Sequence, residues 1–95
     1  PLHIAGIIWL RAIVDKLISK HSVLREEVKE LFDNKPKFRL VEKGQRTGEN
    51  LYSATGKTND GRYLIVFFIY KKDQRALIIS ARDMTSSERK KHGKK

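Results

Sequence analysis

Three arginines, Arg62, Arg75 and Arg82, fall where extended segments begin or end, and Arg82 leads into a strongly basic tail. A guanidinium is a planar fork with parallel charge-assisted donors, so arginines at strand ends suit a phosphate. Strict alternation along 75–82 places Ile78, Ser80 and Arg82 on one face, and Arg75, Leu77 and Ile79 on the other. Arg82 then leaves the strand on the same face as a hydroxyl, just ahead of a basic helix. The competing reading is a structural ion pair between Arg82 and Asp83 or Glu88. Residue chemistry alone weighs the two equally.

Other chemistries find less support. Gly56-Lys57-Thr58 imitates the end of a phosphate-binding loop, but the glycine required five residues earlier is Leu51, and a turn and strand follow instead of a helix. His3, His21 and His92 have no metal-ligand spacing to one another, and cysteine is absent. Ser80 has no His–Asp arrangement around it, so a nucleophile triad is unsupported. No cofactor and no metal are expected.

The elements that must position the arginines follow from periodicity. Leu10, Ile13, Val14, Leu17 and Ile18 form one apolar helical stripe. The short apolar "HIAGIIW" before it reads as an edge strand. A second helix is predicted from Leu24 to Phe32, with Glu26 and Glu27 in its first turn, where the helix dipole favours them. Pro36 ends that region and biases Lys35 toward an extended backbone.

The second half changes period. "KFRLVEK", "NLYSATGKT", "RYLIVFFIY" and "RALIISAR" read as four strands, with a tight turn at Gly61. "RYLIVFFIY" is apolar on both faces, which predicts a central strand covered on both sides and its aromatics buried. "MTSSERKKH" reads as a final helix, in which Thr85 and Glu88 have capping-box spacing. Helices and strands are segregated, so the fold class is α+β with a mostly antiparallel sheet, in a single domain over residues 1–95.

Charge is distributed as unevenly as structure. Residues 1–34 carry five Lys/Arg and five Asp/Glu, so the whole net charge of +10 lies after residue 34. A one-sided positive field points to a polyanion or an acidic protein partner. The longest apolar run has eight residues, far below the roughly 20 needed to span a bilayer. No signal-peptide pattern is visible, and the lack of cysteine fits a reducing cytoplasm.

One resemblance spans nearly the whole chain. Lys20, His21, Val23, Glu27, Val28, Glu30 and Phe32, then "GKT-DGRYL-V-F", then "ALIISARDMT--ER", together resemble the BrnT family of toxins from type II toxin–antitoxin systems. "ISARDMT--ER" is the most specific part. Leu24 departs from the pattern, standing where the family tends to place a small polar helix cap.

The resemblance implies a RelE-like fold, with two N-terminal helices on an antiparallel sheet of about four strands and a C-terminal helix. It implies an endoribonuclease that stops translation. It also implies a ribbon-helix-helix antitoxin whose dimer carries a toxin on each side, a heterotetramer. Metal-free RNA cleavage needs a base for the 2′-hydroxyl, an acid for the leaving oxygen and cations for the phosphorane. On that basis Arg62 and Arg82 are expected to stabilise the transition state, with His21 or Lys20 transferring a proton. Ser80, Glu88, Arg89 and Arg75 are expected to support or bind RNA. Two other functions compete: a non-catalytic basic RNA-binding module, and an interaction protein with an acidic partner. Burial of the aromatics on 62–70 would count against base stacking and hence against the RNA-binding module.

Overall fold

The computed structural model describes residues 2–94 as a five-stranded sheet with three helices. In chain order the elements are β1 (Gly6–Ile8), α1 (Arg11–His21), α2 (Arg25–Asp33), β2 (Lys37–Glu42), β3 (Asn50–Lys57), β4 (Tyr63–Tyr70), β5 (Arg75–Asp83) and α3 (Ser86–Gly93). The sheet order is β1-β5-β4-β3-β2. The apolar segment before α1 is a fifth strand, and it runs parallel to β5, with Ile7 opposite Ala76. The sheet is therefore mixed: the edge strand read from "HIAGIIW" is present, and it adds a parallel member to the antiparallel sheet of about four strands that the resemblance implies. The two helices after β1 return the chain so that its N-terminal strand lies alongside the last one.

The apolar stripe of α1 is only partly used. Leu17 is buried and Ile13 and Val14 half-buried, whereas Leu10 and Ile18 stay exposed. Ser22 ends α1 in the left-handed region at φ 53, and its N–H donates to the carbonyl of Ile18 at 3.1 Å. Leu24 has no acceptor with which to cap α2. The start of α2 is fixed instead by Glu27, whose carboxylate reaches back to the Leu24 N–H at 3.0 Å. Lys35 has φ 53 and is left-handed, not extended as Pro36 alone would favour. The reversal is set by Asn34, whose amide nitrogen donates to the Lys57 carbonyl at 2.9 Å and to Asn59 Oδ1 at 3.0 Å.

One sheet face is packed against α1 and α2. Leu64, Val66 and Phe68 of β4 are fully buried there, together with Ala54, Ile78, Val28 and Leu31. The opposite face is sparsely covered. On it Ile65 is buried, but Phe67 and Ile69 are only half-buried. The expectation of β4 covered on both sides therefore holds for one face and for Ile65 alone on the other. Of the aromatics in β4, Phe68 is buried, while Tyr63, Phe67 and Tyr70 retain exposed surface. The argument against base stacking built on their burial does not stand.

Candidate active site

The face of the sheet turned away from α1 and α2 is laid out by β5. Phe67 pairs with Ser80 but Phe68 pairs with Ile78, leaving Ile79 as an extra residue in a bulge. Strict alternation fails at that point. Ile78 and Ala81 both face the helices, while Ser80 and Arg82 face the other way. Ile78 therefore does not share a face with Ser80 and Arg82, as unbroken alternation would require. The bulge turns Arg82 onto the open face.

Cross-strand register then aligns a row of side chains on that face: Lys37, Thr55, Ile65 and Arg82. A second row holds Arg39, Ser53, Phe67 and Ser80. α3 lies over the first row, and none of its residues is buried, so polar contacts hold it. Glu88 accepts two hydrogen bonds from Arg82, at 2.7 Å from Nη1 and 3.0 Å from Nη2. The Arg89 guanidinium sits 3.9 Å above the Tyr63 ring. His92 Nδ1 is 2.9 Å from Thr55 Oγ1. Lys37 Nζ donates to the carbonyls of His92 and Lys94 at the end of the helix. Between α3 and strands β2 and β3 lies a groove of about 280 Å³, lined by Lys37, Arg39, Thr55, Glu88, Lys91 and His92 among others.

Electrostatics in the groove follow from these contacts. The Arg82 hydrogen bonds, helped by the Thr85 amide, hold the Glu88 carboxyl down at about 2. The same pair raises Arg82. Thr85 completes the predicted capping box, its hydroxyl accepting from the Glu88 N–H at 3.1 Å. Burial, and then the charges of Lys37 and Lys57, lower His92 below the ordinary histidine range. Because Glu88 is depressed on folding, its contribution is present above its ordinary value of 4.5 and is lost as pH falls toward about 2. Glu88→Gln should therefore melt below wild type at pH 7, with the gap closing in melts taken between pH 4.5 and 2. A gap independent of pH would exclude this account of Glu88.

A second cluster stands at the edge of the helix layer. All five donor hydrogens of Arg62 are engaged. Nε and Nη2 donate to Asp83 at 2.7 and 3.2 Å, Nη1 to the Ser22 carbonyl at 2.7 Å and to Glu27 at 3.1 Å, and Nη2 to the His21 carbonyl at 2.9 Å. Asp83 is lowered first by the Arg62 hydrogen bonds, with a smaller contribution from the nearby charge of His21. Lys20 is exposed in the last turn of α1, and His21 is half-buried beside it.

The structure thus divides the residues singled out in the sequence. Arg82, Ser80, Glu88 and Arg89 share the open face. Arg62, His21 and Lys20 gather on the helix side, with the sheet between the two guanidinium groups. Arg75 belongs to neither set: it lies at the opposite end of β5 and pairs with Asp73 at 2.7 Å. Sequence reading missed Lys37, Arg39, Thr55 and His92. One signal was available, because His92 lies four residues after Glu88 and so falls on the same side of α3. Among the described residues, no group of three His, Cys, Asp or Glu side chains is arranged to hold a metal, and no helix is long and apolar enough to cross a membrane.

Comparison with known proteins agrees with the resemblance carried by "ISARDMT--ER". A search of curated proteins returned no match to the chain. A family model described as the ribonuclease toxin, BrnT, of a type II toxin–antitoxin system matches residues 9–88. The matched span contains Lys20, His21, Arg62, Arg82 and Glu88, and it stops short of Arg89, Lys91 and His92. Most of the chain is covered, and the chain belongs to the BrnT family of ribonuclease toxins.

Proposed function

We propose that the chain is an endoribonuclease that cuts RNA without a metal ion, and that the RNA strand lies along the open sheet face beside α3. The observation that supports this reading is the cation set on that face. Lys37, Arg39 and Lys91 line one groove together with the uncharged His92; among the described lining residues Glu88 is the sole carboxylate, and it is already neutralised by Arg82. Fixed cations beside a bound phosphate can stabilise the charge that develops as the phosphorane forms. Arg82 is the guanidinium assigned to that task. The half-exposed Phe67, with the Arg82 guanidinium 5.7 Å from its ring centroid, offers a surface on which a base can stack. Ser80 and Arg89 support this face. Lys20 and His21 are proposed to act where the strand passes the end of β5, with Arg62 holding the backbone at His21 and Ser22 in place. Arg75 lies outside the proposed site.

Cutting messenger RNA would stop translation in the cytoplasm. The partner expected for a toxin of this family is a protein antitoxin, here proposed to be of the ribbon-helix-helix type, in a heterotetramer with two toxins. An inhibitor of so basic an enzyme gains association rate and specificity from opposite charge. The antitoxin is therefore proposed to place acidic residues over the same open face.

Cleavage of a single-stranded RNA in excess EDTA tests the reaction, and anisotropy across a salt series tests the binding. Cleavage should persist in EDTA. The logarithm of the binding constant should fall linearly with the logarithm of salt, with a slope implying several phosphates. The toxin–antitoxin complex should bind RNA more weakly than the free toxin. Salt-dependent binding without cleavage would establish the non-catalytic RNA-binding module instead, and cleavage abolished by EDTA would overturn metal independence.

A further inference from the structure

We propose that His92 is the general base of the reaction, with Thr55 as the residue that sets its tautomer. The inference rests on the ribonuclease reading and deepens it, since His92 lies beyond the residues that the family model matches. His92 lines the groove, and its Nδ1 is tied to Thr55 Oγ1 at 2.9 Å. If Nδ1–H donates to the threonine hydroxyl, Nε2 carries the lone pair, and a proton can be taken there. The ring is further held edge-on to Tyr63, with centroids 6.2 Å apart, and the His92 carbonyl is held by Lys37. Thr55 and Tyr63 thus hold the imidazole and Lys37 holds its backbone, in a groove that combines cations with a base.

Its surroundings keep it neutral. Lys37 and Arg39 approach from β2, Lys57 and Tyr63 from β3 and β4, and Lys91 from its own helix. Lys35 lines a second cleft that His92 also borders. Among the described residues lining the groove Glu88 is the only acid, and it is committed to Arg82. Burial and positive charge both disfavour the imidazolium, so at neutral pH His92 is a free base surrounded by groups that attract phosphate.

The step balances as follows. The 2′-hydroxyl proton of the RNA passes to Nε2, and the O–H electron pair forms the bond from 2′-oxygen to phosphorus. The bond from phosphorus to the 5′-oxygen breaks, its electrons stay on that oxygen, and water supplies the proton it takes up. The products are a 2′,3′-cyclic phosphate and a 5′-hydroxyl, and the imidazolium returns its proton to solvent.

The test is the pH–rate profile of wild type, His92→Gln, His92→Asn and Thr55→Val on one RNA, with binding measured in parallel. Wild-type kcat should fall on the acid side with a midpoint below the ordinary histidine value of 6.5. His92→Gln should lose about 100-fold in kcat and lose the acid limb, while RNA affinity stays within a factor of about three. Thr55→Val should lower kcat without weakening binding, as expected of a positioning residue. His92→Asn, read in the same way, serves if His92→Gln fails to fold. An active wild type whose His92 variants keep both rate and acid limb overturns the assignment alone. An inert wild type overturns the ribonuclease reading and the assignment together.

Discussion

Replacing Arg82 with alanine should lower RNA cleavage by about 100-fold or more and leave the protein folded. Arg82 stands in the cross-strand row above the groove, turned onto the open face by the bulge at Ile79. Its bonds to Glu88 and to the Asp83 carbonyl use three of its five donor hydrogens, so donors remain for a phosphate. The ion pair that holds it is partly exposed, at 34% for Arg82 and 26% for Glu88, and such pairs contribute about 1 kcal/mol at most. Arg82→Ala should therefore cost only a few degrees in melting temperature. Arg82→Lys should restore little activity, because a point charge cannot reproduce two fixed parallel donors. The structural alternative makes an opposite forecast. If the pair with Glu88 is the whole role of Arg82, Arg82→Ala and Glu88→Ala lower the melting temperature equally and leave activity per folded molecule unchanged. Cleavage assays and thermal melts on the three variants decide, and a folded Arg82→Ala with normal cleavage removes Arg82 from the chemistry.

The parts of this molecule legible in the sequence are those fixed by local rules. The 3.6-residue stripe placed α1, the Thr85–Glu88 spacing placed the cap of α3, and Gly61 at φ 84 supplied the turn before β4. What could not be read depends on contacts between distant segments. The bulge in β5 is invisible because "LIIS" is compatible with strict alternation, and only pairing with β4 reveals the extra residue. The bulge decides which face Arg82 occupies. Likewise, Arg62 looked like a free cation because its partners come from α1, α2 and β5, between 21 and 41 positions away. His92 looked isolated because its partner, Thr55, is 37 positions away. The open face was mispredicted for a related reason. A strand apolar on both sides implies cover, but α3 is too polar to bury what lies beneath it, and so Phe67 and Ile69 stay partly accessible. That incomplete cover is what leaves room for a strand of RNA on the proposed face.

The largest effect on stability at the site is expected from Arg62→Ala. Arg62 binds four acceptor groups from three elements and the turn between them: the His21 and Ser22 carbonyls, Glu27 and Asp83. Its removal leaves all four without this donor. Asp83 is 63% exposed and rehydrates easily, but Glu27 is only 22% exposed and also caps α2 through the Leu24 N–H. Loss of charge-assisted bonds at such a partly buried hub should cost about 2 kcal/mol. For a domain of this size that corresponds to a fall of roughly 10 °C in melting temperature. Arg62→Lys should behave nearly as badly, since one ammonium cannot reach acceptors fanned around a planar fork. Activity per folded molecule should fall less than with Arg82→Ala if, as proposed, Arg62 acts by fixing the backbone at His21 and Ser22. The melt and the cleavage rate, measured on the same sample, separate two roles for Arg62. A variant that melts within about 2 °C of wild type yet loses cleavage as Arg82→Ala does would show that Arg62 leaves its carboxylates to meet the RNA.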